Sequence, residues 1–192
     1  MNPHIYVICE GKSEYAYIQE VNRLLQREGA HGCLVPKDAH GGAPLQIKGV
    51  YDSLGTINAP LYTWLDSDIY TSDRRRYTLT DQQIEKYHVQ FTHWNFEDFL
   101  AMHGDHDATE HWIHVCERNG HWQHPLGGRE IELLLREEMY NDYRKGSLPK
   151  AILPLTPEKL ERVVRNLREV EVAHCQCPMA EILWHIVQER LA

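Results

Sequence analysis

The residues of this chain best suited to chemistry are acids. Glu10 and Glu14 flank the turn Gly11-Lys12-Ser13, Asp66 and Asp68 are separated by Ser67, and Glu97 lies in the run Asn95-Phe96-Glu97-Asp98. Each group follows an apolar, strand-like stretch, covering 5–9, 60–65 and 89–94. Solvation spreads acids over a surface without regard to strand ends, so an apolar strand that stops at an acid three times over needs another explanation. Carboxylates that converge without partners repel and raise one another's pKa values. A hard divalent cation removes that penalty, and oxygen-only ligands select Mg²⁺ or Mn²⁺ over zinc.

The Gly-Lys-Ser triplet invites a different reading, a phosphate-cradling loop. That loop requires a second glycine five positions before Gly11, where its backbone amides can wrap a phosphate. Tyr6 occupies the position, and Val7, Ile8, Cys9 and Glu10 between them read as a buried strand ending in an acid. Lys12 and Ser13 are then turn and helix-cap residues, with Ser13 ahead of the apolar face Tyr15, Ile18, Val21, Leu24 and Leu25.

The elements that must position the acids follow from periodicity and punctuation. Strand-like runs at 5–9, 32–36, 60–65 and 89–94 alternate with helical patterns at 13–29, 45–54, 81–87 and 96–102, and residues 38–44 form a glycine-rich loop. A β-α-β-α-β-α-β order predicts an α/β fold with a mostly parallel sheet and helices on both faces, in which strand ends gather ligands on one edge. The extended spacing of Asp66 and Asp68 sends both side chains the same way. Beyond about residue 105 strand signals fade, and helices are expected at 130–143, 157–170 and 178–191, the second opened by Thr156-Pro157-Glu158. The expected organisation is an α/β core over 1–105 and a C-terminal helical extension over 106–192 packed on it as one unit.

Bulk properties narrow the partners. The chain has 192 residues, 28 Asp and Glu against 20 Lys and Arg, and a formal net charge of −8, which argues against holding nucleic acid by overall electrostatics. Local contacts remain open, because an acidic metal site adds to this count and is neutralised when loaded. Five cysteines, an odd number without a regular framework, fit a reducing compartment. No apolar run reaches the roughly 20 residues of a membrane span, and Glu10 and Lys12 interrupt any secretory leader, so the expected location is cytoplasmic and away from the membrane.

The motifs together resemble the Toprim domain of topoisomerases, primases and OLD-type nucleases. Glu10-Gly11-Lys12-Ser13-Glu14 follows a strand, and Leu65-Asp66-Ser67-Asp68 closes another. With Asn95-Phe96-Glu97-Asp98-Phe99-Leu100-Ala101-Met102-His103, the pattern is most similar to the small RloB-like proteins of bacterial defence loci. This resemblance covers roughly the first 105 residues. It implies a Toprim-like fold and Mg²⁺-dependent (or Mn²⁺-dependent) cleavage of phosphodiester bonds in DNA or RNA, in antiviral defence beside an ATPase partner. It also implies that Glu10 ligates metal or shuttles a proton, that Asp66 and Asp68 bind metal, and that Glu14 and Glu97 complete the site. Tyr70 and Thr71 stand where many Toprim domains carry a further aspartate, which leaves one ion or two open.

Phosphate also needs cations. Lys145 and Lys150 in the stretch 143–150 resemble the lysine that some members place near the scissile phosphate, and Arg74, Arg75 and Arg76 offer a backbone grip or simply a charged surface. Six of the thirteen histidines crowd into 103–124 with Trp112 and Trp122, and the expectation is a polar, partly stacked surface at the site entrance, with Trp94 and with His103 facing the acids. A zinc site completed by His174, Cys175 and Cys177 is the competing reading, against which the tight Cys-x-Cys spacing counts. Two other classes stay in view: a catalytically degenerate Toprim module serving as the partner-binding subunit of an ATPase-containing complex, and a different phosphoryl-transfer enzyme. The sequence leaves a homo-oligomer open.

Overall fold

A computed structural model describes residues 4–55, 58–70, 78–171 and 173–192. Strand β1 (Ile5–Cys9) lies inside a four-stranded, all-parallel sheet of order β2-β1-β3-β4, with β2 at Leu34–Asp38, β3 at Leu61–Asp66 and β4 at Val89–Thr92. Its central place explains its composition, since Val7, Ile8 and Cys9 are fully buried and must satisfy apolar contacts on both faces. Register aligns the C-terminal ends: Cys9 pairs with Asp38 on one side and Trp64 on the other, and Asp66 pairs with Thr92. The edge that collects the strand-end acids is therefore set by backbone pairing.

Alternation along the strands divides the interior. Ile8, Leu61 and Leu65 face a small core with Ile47 and Tyr87, covered by α2 (Pro44–Ser53) and α3 (Asp81–Lys86). Val7, Cys9 and Trp64 face a larger core that runs without a break through α1 (Lys12–Arg27), α4 (Phe96–Ala101) and the C-terminal helices. Those are α5 (His106–Arg118), α6 (Gly128–Glu138), α7 (Pro157–Glu169) and α8 (Pro178–Leu191), and α8 packs on both α1 and β4. The fold is thus α/β with eight helices among the described residues, on both sides of a parallel sheet, as in a Toprim-like fold. No described helix is long and apolar enough to cross a membrane. All five cysteines are free and buried.

Three local features depart from the sequence reading. The histidine-rich segment is helix α5, capped by Asp105, whose side chain accepts from the Ala108 amide at 3.0 Å. Its Thr109, Trp112, Val115 and Cys116 are buried while His106, His111 and His114 face solvent, so the histidine count hid an ordinary amphipathic stripe. Helix α6 ends at Glu138 rather than continuing to 143, and the following chain turns through Tyr140 and Tyr143, both buried, to Gly146 at φ +87°. Finally, α1 begins at Lys12 with Gly11 as its cap, which frees the Ser13 hydroxyl to accept from the Gly146 amide at 2.9 Å.

Candidate metal centre

The C-terminal edge of the sheet brings the predicted acids together. Glu10, immediately after β1, turns its carboxylate across the edge, and its Oε2 accepts from the Asp66 amide at 2.8 Å. Asp66, the last residue of β3, has its Oδ1 buried with no hydrogen-bond partner. Glu14 lies in the first turn of α1, 4% exposed, and its Oε2 accepts from the Gly11 amide at 3.1 Å. Glu97 lies in the first turn of α4 rather than at the end of β4, 2% exposed, and its Oε1 accepts from the Tyr143 hydroxyl at 2.9 Å. Asp68 opens a one-turn 3₁₀ helix beside them, and its charge acts on both Glu10 and Asp66.

Glu10, Glu14, Asp66 and Glu97 line a cleft of about 200 Å³ together with Gly11, Lys12, Ser13, Phe96, Lys145 and Gly146. Gly42 closes the side next to β2, where a Cβ would come within 3.1 Å of the Glu10 carboxylate carbon. The Gly41 amide anchors that loop by donating to the Glu10 carbonyl at 2.7 Å. Lys145 stands on the rim with no direct ion pair among the described residues, yet it feels Glu97, Asp66, Glu14 and Glu10. Lys12 and Lys145 thus share the cleft with several carboxylates, and Lys145 is the lysine whose ammonium they raise.

The electrostatics are those of crowded acids. Burial, then the charges of Asp68 and Glu97, push Glu10 up to about 7 against the Asp66 amide and Lys145. Burial, then Glu10 and Glu97, push Glu14 up to about 8. Asp66 is raised well above the usual carboxylate range by burial and by Glu10, Glu14, Glu97 and Asp68. Glu97 is raised chiefly by burial, with Lys145 and the Tyr143 hydroxyl opposing. Burial alone would lower Lys145, but Glu97, Asp66, Glu14 and Glu10 outweigh it and raise the ammonium.

A divalent cation fits this edge. The donors are all carboxylate oxygens, the hard ligand type of Mg²⁺ and Mn²⁺. Glu10, Glu14 and Glu97 each accept from a protein donor through one named oxygen, and Asp66 Oδ1 is buried with no hydrogen-bond partner. Leaving a buried acceptor unsatisfied is costly, and a cation satisfies it.

Other predicted residues are placed elsewhere. Lys150 lines a separate hollow with Arg136 and Asp142, whose carboxylate accepts from the Lys150 amide, so the structure separates it from Lys145. Arg74, Arg75 and Arg76 lie outside the described residues. His103 does not face the acids: its ring packs against Tyr17 and Phe99, burial lowers it to about 3, and its charged neighbours are Lys159 and Arg162.

The histidine and cysteine signals resolve into scaffold. Cys175 and Cys177 are buried, and between them Gln176 forms an antiparallel bridge with His93 that lays the segment along the end of β4. His174 packs at a tilt against Trp122 with ring centroids 5.1 Å apart. Asp98, Cys116 and His121 do place ligand-type atoms within 4.8 Å of one another. Hydrogen bonds account for the acid and the imidazole. His121 Nδ1 accepts from the Leu126 amide at 2.9 Å, so the neutral ring carries its proton on Nε2 and donates it to Asp98 Oδ2 at 2.9 Å. Asp98 also accepts from Trp112 Nε1 and from the amides of Trp94 and Asn95. These hydrogen bonds give Asp98 and His121 a structural use, holding the turn into α4.

Sequence reasoning missed Tyr143, which it had placed at the end of a helix, and Gly42, read only as part of a loop. Their signals were local: Asn141-Asp142 and Gly146 break the helical pattern around Tyr143, and Gly41-Gly42 follows a strand end.

No protein-family model, curated protein or solved structure matches the chain. Fold and site together define a parallel α/β protein with a carboxylate cluster and two lysines, Lys12 and Lys145, in a cleft at the C-terminal edge of its sheet.

Proposed function

We propose that this chain is a Toprim-type, Mg²⁺-dependent (or Mn²⁺-dependent) nuclease of the RloB-like kind, cleaving phosphodiester bonds in DNA or RNA. The observation that carries the reading is the cleft in which Glu10, Glu14, Asp66 and Glu97 from separate elements stand opposite Lys145, with Asp66 Oδ1 unsatisfied. Glu10, Asp66 and Glu97, with Asp68 beside them, would hold the metal, and Glu14 would complete the set. The ion supplies charge neutralisation at phosphate and makes water a better nucleophile near neutral pH.

The chain's own groups do the rest. Lys145 on the rim attracts the phosphate into the cleft and offsets charge that develops on its oxygens. Phe96 lines the acid edge and Gly42 lies against the Glu10 carboxylate, and the burial of Glu14 and Glu97 strengthens the charge interactions there. The acidic surface points to binding through this local contact rather than broad phosphate neutralisation. A cytoplasmic role in antiviral defence beside an ATPase partner belongs to the same proposal and rests on the motif resemblance.

The test is cleavage of single- and double-stranded DNA and RNA by purified protein with and without Mg²⁺ or Mn²⁺. Cutting should require the metal, and Glu10→Ala and Asp66→Ala should abolish it while circular dichroism stays unchanged. Full activity in both variants removes the proposal.

A further inference from the structure

We infer that Tyr143, supplied by the helical extension, is the positioning residue of the acid cluster, setting Glu97 toward a divalent cation and fixing Lys145 two residues further on. The inference rests on the proposed metal site and says how that site is assembled.

Tyr143 is fully buried, and its hydroxyl donates to Glu97 Oε1 at 2.9 Å. A phenol is protonated at neutral pH, so the hydroxyl acts here as a donor. A donor aimed at a carboxylate favours its ionised form and fixes which oxygen remains for a cation. Oε1 is committed to Tyr143, which holds the Glu97 carboxylate in the cleft shared with Glu10, Glu14 and Asp66.

The same turn is fastened at a second point. The Gly146 amide donates to the Ser13 hydroxyl at 2.9 Å, and Ser13 also interacts with the Tyr143 hydroxyl. Gly146 sits at φ +87°, with Lys12 Cβ only 3.3 Å from where its own Cβ would be, so the chain approaches α1 too closely for a larger residue. Lys145 lies between these two attachments, with its amide donating to Glu132 Oε1 at 3.2 Å. Glu97, Ser13 and Lys145 come from three different elements, and Tyr143-Gly146 is the segment that links them.

The experiment is titration of the full chain with Mn²⁺ alone, following free Mn²⁺ by electron paramagnetic resonance. Tyr143→Phe should weaken Mn²⁺ binding by about tenfold, the usual loss when a group that orients a metal ligand is removed. Tyr140→Phe is the control for a merely structural role. It deletes a hydroxyl from the same turn, where Tyr140 donates to the Leu100 carbonyl at 3.2 Å, and should leave the affinity unchanged. In a Glu97→Gln background, Tyr143→Phe should cause no further loss. Equal weakening by both tyrosine variants, or an additive loss with Glu97→Gln, overturns the inference. Unchanged affinity in Tyr143→Phe while Asp66→Asn binds poorly overturns the positioning role and spares the metal site. No Mn²⁺ binding by the unaltered chain overturns both. If Tyr143→Phe does not fold, Ser13→Ala cuts the same attachment from α1: weaker Mn²⁺ binding supports the inference, and unchanged binding overturns it.

Discussion

The Glu10 carboxylate accepts from the Asp66 backbone amide at 2.8 Å, so the ends of two neighbouring strands are tied by one of the acids that also line the cleft. This gives Glu10 a structural use and a charge, and the two separate by substitution. Gln at position 10 keeps the acceptor and removes the charge. Glu10→Gln should therefore fold normally and melt no lower than the parent without metal, because it deletes a repelled, buried charge. Stabilisation by Mg²⁺ should disappear along with any cleavage. Thermal melts with and without Mg²⁺ measure both halves.

The crowded acids also predict an unusual pH profile. Glu10 at about 7 and Glu14 at about 8 lie above their ordinary value of 4.5, so between about pH 5 and 8 the folded chain holds more protons than the unfolded one. Stability of the metal-free protein should fall as pH rises through that window, the reverse of a salt-bridged acid. A net cost of about 2 kcal/mol would lower the melting temperature by roughly 4–8 °C for a chain of this size. Millimolar Mg²⁺ should flatten the slope, since it replaces protons as the counter-charge. A metal-free melting temperature that rises from pH 5 to 8 would contradict the site as described.

Asp98 makes the opposite prediction from its neighbour Glu97. It accepts from Trp94, Asn95, Trp112 and His121 and is fully buried. Asp98→Ala strands all of those donors and should cost on the order of 3–5 kcal/mol in unfolding free energy. Because His121 carries its proton on Nε2, zinc should not be found in stoichiometric amount in protein purified without chelator. Denaturant titration and elemental analysis check the two statements.

How far the sequence could be read depended on the range of the interaction. The strand of Val7, Ile8 and Cys9 between polar boundaries, and the acids at 10 and 66, are local patterns, and the parallel sheet follows once strands and helices alternate. The split of Glu97 and Asp98 is not local. Both are adjacent acids in one short helix, and only Tyr143, Trp112 and His121, brought in from the extension, decide that one faces the cleft and the other the scaffold. The fate of the histidines was obscured for a related reason. Composition drew attention to the exposed face of α5, whereas Thr109, Trp112, Val115 and Cys116 on its other face made it a helix.

Gly42 tests how closely the acid edge is built. A Cβ there would meet the Glu10 carboxylate at 3.1–3.2 Å, tighter than ordinary contact, so Glu10 must shift by a few tenths of an ångström. Its neighbours limit that movement, because Oε2 is held by Asp66 and the Glu10 carbonyl by Gly41. Gly42→Ala should leave the fold intact, with a melting temperature within about 3 °C of the parent, a change worth roughly 1 kcal/mol. Half-maximal Mg²⁺ stabilisation should move to several-fold higher concentration. An unchanged Mg²⁺ titration would mean that Glu10 tolerates displacement.

Lys145 and Lys150 were equivalent by spacing and are separated by the structure. Lys145 shares the cleft with Glu10, Glu14, Asp66 and Glu97, whose charges raise its ammonium despite burial, so it stays charged at any working pH. It acts on the carboxylates through charge without pairing directly with them. Lys150 lies in another hollow, tied through its amide to Asp142. Lys145→Ala should therefore reduce cleavage by about 10²-fold, the scale for losing one group that stabilises developing charge. Lys150→Ala should change it by less than about twofold, as expected for a surface position away from the reacting groups. Mn²⁺ affinity should be unchanged or slightly higher in Lys145→Ala, since a neighbouring positive charge is gone. That combination, slower cutting with undiminished metal binding, separates a substrate contact from damage to the acids. Equal losses in the two lysine variants would instead point to a general dependence on positive charge across the surface.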